Sequence, residues 1–303
     1  MMIKKIYLFS FILCIFIFSG CSRTIFFSRN ITDNFSNTDA LELAKAVQTE
    51  NVSRIKKICR KNPEQMYAVD NSNHYTLLHW SVRCLKLKSM KALLECGMDP
   101  NIQCPEGGET PLFMACCYGE IPPDFVKILL DYGADTDISL KSVPLDSNGV
   151  VNEFYIEGTT PLMMLPSMHI PDKKINMEKA RLLVEKGHAD INLKNVDGET
   201  AAIEALRVKD IEMSRYLIVD LKANVTDDYS FNYDENIPLK TVGLLRRWWI
   251  FPLDSEEYKI KMEIVNEFKN QGIDYYAEPI PADVERLIKK KYPDTWEEYI
   301  KVY

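Results

Sequence analysis

Short apolar doublets, each closed by a polar turn, recur through the middle of the chain: Leu93-Leu94 in ALLECGMDPN, Leu129-Leu130 in ILLDYGADTD, Leu182-Leu183 in LLVEKGHADIN and Leu217-Ile218 in YLIVDLKANV. In the first three a glycine follows within a few residues, then Ala-Asp or a relative, the pattern of an amphipathic helix stopped by a left-handed cap. The fourth has Leu221 where the glycine is expected. Ahead of each stretch lies a threonine that opens a second apolar run: YTLLHWSV, ETPLFMAC, TTPLMML and ETAAIEAL, with Thr76, Thr110, Thr160 and Thr200 in the same place. Thr76 and Thr110 are 34 residues apart. Pro111 and Pro161 follow their threonines, where a first helical turn accepts proline without losing a hydrogen bond. The pattern therefore predicts a repeated pair of helices.

These residues resemble the ankyrin repeat, a β-turn finger followed by two antiparallel helices, the first opened by T-P-L-H-x-A. Four copies cover about 71–225. Degenerate units flank them at 40–64 and 237–274, the second ending in Gly272. One such unit cannot bury its helical faces alone, so neighbours must stack and the ends must be capped. The resemblance implies an all-α fold, an ankyrin-repeat solenoid of stacked helix-turn-helix units with β-turn fingers over 39–274. A helical tail follows at 275–303, its amphipathic helix ending before Pro293. Trp80, Met114 and Met164, after the motif histidine, are expected in the core, and the aromatics of Arg246–Trp249 are expected to seal the last repeat.

The spacing is irregular at one place, where Thr110 and Thr160 lie 50 residues apart. The surplus falls in 139–157, where Asn148-Gly149 between short apolar runs predicts a finger extended as a hairpin that displays Phe154 and Tyr155. A second surplus, 167–176, lengthens the turn between the helices of that repeat. Proteins of this family bind through the fingers and the concave face of the first helices. Carried over from the threonine, that surface includes Tyr75, Arg83, Glu106, Glu109, Tyr118, Glu157, Asp197, Glu199 and Arg207. Five acids among them would form a row suited to a basic protein partner.

The first twenty residues follow another logic. Lys4 and Lys5 precede an apolar run of 13 residues, Ile6 to Phe18, too short to cross a membrane as an ordinary helix and suited to a secretory signal. FSGC, Phe18 to Cys21, resembles the lipobox of bacterial lipoproteins, with Phe18 where that family has leucine. The resemblance implies cleavage after residue 20, acylation of Cys21, and anchoring of the chain to a membrane facing the periplasm. Ser22 in place of Asp points to the outer membrane. Residues 21–38, rich in Ser, Asn and Thr, read as the lipidated cysteine and its tether.

A net charge of -7 and a pI near 5.3 argue against nucleic-acid binding, which requires a concentrated basic stripe. Cys116 aligns with a small core position and Cys117 with its outward neighbour; about 100° apart on one helix, they make a poor chelate. Cys59 falls at a core position, Cys84 on the first-helix face, and a bridge between Cys96 and Cys104 is compatible with an oxidising envelope. No zinc spacing, triad or phosphate loop occurs, and none of His74, His79, His169 and His188 has a catalytic partner at a meaningful spacing. No enzyme activity, cofactor or metal is expected. The sequence reading is a monomeric, membrane-anchored protein-binding module. The alternative is an immunity or inhibitor protein that occludes a secreted antibacterial enzyme, since some bacterial ankyrin lipoproteins neighbour such toxins.

Overall fold

The computed structural model describes residues 30–71, 74–142, 156–166, 173–229 and 239–303. Two compact units divide the chain after Met98. The architecture is the predicted one, a solenoid of helix-turn-helix units.

In the first unit, α1 (Ile31–Asn34), α2 (Leu41–Gln48), α3 (Val52–Lys61), α4 (Leu77–Arg83) and α5 (Leu87–Glu95) follow in order. Each boundary has a local cause. Asn51 accepts the Arg54 N–H at 3.1 Å and so opens α3. Thr76 and His79 form a capping box at the start of α4, with Thr76 Oγ1 and His79 Nδ1 2.9 Å apart. Gly97, at φ +91°, ends the α5 turn. Helix α3 buries Ile55 and Cys59, one turn apart, and α5 buries Met90, Leu93 and Leu94. Ser89 of α5 donates to the Val47 carbonyl at 2.8 Å, satisfying a carbonyl in the last turn of α2.

Residues 30–38, which the sequence reading assigned to a tether, include the short helix α1. Ile31 and Phe35 are completely buried, and the Ile31 N–H donates to Gln48 Oε1 at 3.0 Å. The apolar pair at i, i+4 supplies burial that the surrounding Asn, Asp and Thr residues concealed. Residues 21–29, Cys21 among them, lie outside the described residues.

The second unit continues with α6 (Pro111–Cys117), α7 (Pro123–Asp131), α8 (Lys173–Arg181), α9 (Ala201–Arg207), α10 (Ile211–Arg215), α11 (Thr241–Trp248), α12 (Glu256–Asn270), α13 (Ala282–Lys291) and α14 (Trp296–Val302). Thr110 and Thr200 cap α6 and α9, accepting the N–H three residues on at 3.0 and 3.3 Å. After α8 and α10 the backbone widens into single π-helical turns, Leu182–Lys186 and Tyr216–Asp220. The first helix expected after Thr160 is only a 3-10 turn, Leu162–Met164. Pro166 causes the difference: it lacks an N–H and its ring would strike the carbonyl four residues back. Met164, expected in the core, is half-buried there, whereas Trp80 and Met114 are buried as expected.

A ladder of Asp and Asn side chains joins successive turns of this unit. Asn101 Oδ1 accepts the Asp135 N–H at 2.7 Å, Asp137 Oδ1 the Asp190 N–H at 3.0 Å, and Asn192 Oδ1 the Asn224 N–H at 2.8 Å. Within each turn a second acceptor two residues earlier fixes the donor strand, as Asp99 does for Asn101 and Asp135 for Asp137, both at 2.8 Å. The fingers are joined by backbone: Lys141 N donates to Gly107 O and Val196 N to Glu157 O, both at 3.0 Å. This close approach explains two glycines. At Gly108 and Gly158, with φ of +79° and +85°, a Cβ would lie 2.9 Å from Lys141 N and Asn195 Cα.

The predicted long hairpin falls largely outside the described residues, Phe154 and Tyr155 included. Its base is described: Leu140 N donates to Thr159 O at 3.0 Å and Gly158 N to Leu140 O at 2.9 Å. A short antiparallel pair, β1 (Asp228–Tyr229) with β2 (Leu239–Lys240), precedes α11.

The end of the chain is closed by aromatics. Trp249 is fully buried and its indole N–H donates to Leu206 O at 3.1 Å. The tail ends its first helix before Pro293 as predicted, and adds α14, which the sequence reading left out. Val284, Ile288, Tyr299 and Tyr303 form its core, and the Tyr303 hydroxyl donates to Arg246 O at 2.7 Å. Lys261, without exposed surface, donates to Trp249 O at 3.1 Å and lies 3.7 Å from the Tyr303 ring centre.

Candidate functional site

The fingers and first helices place the predicted contact residues in three different environments. In the first unit Tyr75 and Arg83 come together. Arg83, in the last turn of α4, holds its guanidinium 5.8 Å from the Tyr75 ring centre and 5.4 Å from that of Trp80. Tyr75 stacks on His79 at 5.4 Å and meets Trp80 edge-on at 6.3 Å. The supports are buried and the two outer residues are half-buried. Asp70 anchors the group by accepting the Trp80 indole N–H at 2.5 Å. Sequence reasoning missed Asp70, which precedes the finger and carries no motif of its own.

The acidic row of the second unit is shorter than expected. Glu106 and Glu157 are exposed, but Glu109 and Glu199 are 7% and 4% exposed. The Cys104 thiol donates to Glu109 Oε2, and the Cys104 N–H donates to the Glu109 carbonyl at 3.0 Å, closing the finger around Gly108. Burial, reinforced by the nearby Glu109 charge, pushes the Cys104 thiol up to about 12. The residue before the motif threonine thus turns inward to organise its finger.

Glu199 repeats the arrangement. Asn195 accepts the Asp197 and Glu199 N–H groups at 3.0 and 2.9 Å, and its amide donates to Glu199 Oε2 at 3.3 Å. Arg207 reaches Glu199 at 3.6 Å and Glu204 Oε2 with its Nε at 2.9 Å. Burial raises the Glu199 carboxyl to about 7 against the opposing pull of Arg207, and burial also raises Glu204. Arg207 is therefore a structural counter-ion as well as a half-buried surface residue. Asp197 is half-buried, and desolvation raises its carboxyl. Beside it Val196 is 64% exposed at the finger tip.

Tyr118 is half-buried at the end of α6, and its carbonyl accepts Lys179 Nζ at 3.1 Å. Lys179 has no exposed surface and also donates to Ala115 O at 2.8 Å, so a buried ammonium caps the helix end. Burial lowers its pKa. Cys116 is buried as expected and burial pushes its thiol up to about 12, while Cys117 is half-buried. Among the described residues no three His, Cys, Asp or Glu side chains are placed to hold a metal ion, and no helix is long and apolar enough to cross a membrane. The described cysteines form no disulfide.

Residues 41–140 match a family model described as ankyrin repeats, three copies. A search of curated proteins finds no match. Among solved structures, the chain is similar to the crystal structure of EF0377, an ankyrin repeat protein, at 19% identity and a TM-score of 0.51, covering 77% of this chain and 98% of that one. The human ASB11 ankyrin repeat domain is similar at 17% identity and a TM-score of 0.47, with 76% and 82% covered. Three copies of the repeat over 41–140 and the fold agree with the helix pairs described above.

Proposed function

We propose that this ankyrin-repeat chain is a protein-binding module held at a bacterial membrane by acylated Cys21, with its fingers and first helices directed at another protein. Ankyrin repeats indicate a protein-protein interaction module. The observation that carries the site is the Tyr75–Arg83 pair, half-exposed over a fully buried Trp80. An aromatic and an arginine held rigid by packed supports have the composition and low ordering cost of an interface hot spot. In the second unit the exposed finger residues Glu106, Glu157 and Val196 supply acidic and apolar contacts of the same kind. A basic partner is favoured, although by fewer acids than the sequence row contained.

Anchoring rests on the FSGC sequence after the apolar run. Labelling cells with an alkynyl fatty acid tests it: the wild type is expected to carry label in the membrane fraction, and Cys21→Ser to lose it. Label retained by Cys21→Ser refutes the anchor. For the partner, immobilised protein is compared with a copy lacking 139–157 on envelope and secreted fractions. Loss of one specifically retained protein with the deletion assigns the inserted finger to the interface, and unchanged retention removes it.

A further inference from the structure

The sequence left a bridge between Cys96 and Cys104 open; the fold gives Cys96 a different neighbour, Cys59. Cys59 lies in the last turn of α3 and Cys96 immediately follows α5, and these two helices pack against one another. Both cysteines line a small cleft of about 250 Å³ with Lys56, Arg60 and Glu95, close enough for Cys96 to act on the Cys59 thiol. Cys59 is 4% exposed, whereas Cys96 is half-buried and open to a reagent from the cleft. Cys104, by contrast, spends its thiol on Glu109.

We propose that Cys59 and Cys96 are a disulfide-forming pair that links the second helices of two successive repeats. The local backbone can accommodate the bond. Cys96 is the C-cap residue of α5, the last to donate back into the helix, with its N–H 3.1 Å from Ala92 O, and the next residue, Gly97, would meet nothing within 4 Å even with a Cβ. A terminal residue beside an open glycine can adjust to the narrow geometry a disulfide demands, where a mid-helix pair could not. Lys56 extends over the same cleft, close enough to sense the charge of Cys96, and is itself paired with Glu95 at 2.6 Å.

The reaction is thiol-disulfide exchange with an organic disulfide, small or protein-borne. The Cys96 thiolate attacks one sulfur of the oxidant, a mixed disulfide forms, and the other half leaves as a thiolate that takes a proton from water. Cys59, deprotonated by solvent base, then attacks the Cys96 sulfur and expels the second half. Two protein thiols are oxidised and one disulfide is reduced to two thiols. Burial, together with the neighbouring Cys96, holds the Cys59 thiol high, at about 12.

The test is to equilibrate the full-length chain in detergent with reduced or oxidised glutathione, quench with an alkylating reagent, and map the cysteines by peptide mass. The expected result is a Cys59–Cys96 linked peptide in the oxidised arm, at least ten-fold above the reduced arm. Cys96→Ser should remove it while keeping the wild-type circular dichroism. If Cys59→Ala does not fold, the wild-type map and Cys96→Ser still decide. Separate alkylated Cys59 and Cys96 peptides in the oxidised arm, or Cys96 linked to glutathione or Cys104 alone, overturn the proposal.

Discussion

At the scale of single residues, the fold reassigns two acids from surface to interior, and pH reads out that reassignment. Glu199 has a folded pKa of about 7, above the ordinary 4.5, because burial disfavours its charge. Its contribution to stability is complete below about 4.5 and is lost as pH rises through 7. Urea unfolding of Glu199→Gln should match the wild type near pH 5 and exceed it near pH 8 by on the order of 1 kcal/mol. Equal stability at both pH values would show the carboxylate to be charged without cost. Of the contact positions read from the sequence, Tyr75 and Arg83 are half-buried and Glu106 and Glu157 exposed. The sequence reading missed the inward turn of Glu109 and Glu199 because that depends on Cys104 and Asn195 folding back across a tight finger, a contact set by backbone geometry rather than by residue spacing.

At the scale of elements, the helix pairs were legible because a threonine recurs in four copies and a glycine follows the second helix in three of them. What the pattern did not convey was how the turns are joined. The Asp and Asn ladder was present in DPN at 99–101, DTD at 135–137 and DIN at 190–192, yet only the fold shows each acid or amide reaching the next turn. Asn101→Ala removes the acceptor for Asp135 N–H and the donor to Gly133 O, and should cost about 1–2 kcal/mol in urea unfolding. The C-terminal seal is a second element with a measurable signature. Burial and the positive charge of Arg246 lower Lys261 to about 6, while the Trp249 carbonyl and the Tyr303 ring act in the opposite sense. A lysine with a lowered folded pKa makes the fold more stable as pH rises from about 6 towards 10.5, by at most ~1.4 kcal/mol per pH unit for one proton. Lys261→Met should flatten that rise, as followed by thermal unfolding from pH 6 to 10. A Cys59–Cys96 bond, closing a loop of about 37 residues, would add roughly 3–4 kcal/mol to the first unit.

At the scale of the whole molecule, the repeat fold decides which residues are buried and which are displayed. Buried motif positions such as Thr76, Thr110 and Thr200 hold fingers and first helices in place, and the exposed and half-buried residues of those elements are displayed. That display defines the central claim, that the chain binds another protein through the finger and first-helix surface. The direct measurement is a titration of the protein retained by the immobilised chain against wild type and Tyr75→Ala/Arg83→Ala, with circular dichroism confirming that both fold. The account predicts at least a ten-fold rise in Kd for the double variant, the loss expected when an aromatic–arginine hot spot is truncated. An unchanged Kd, or no protein specifically retained by the wild type, would contradict it.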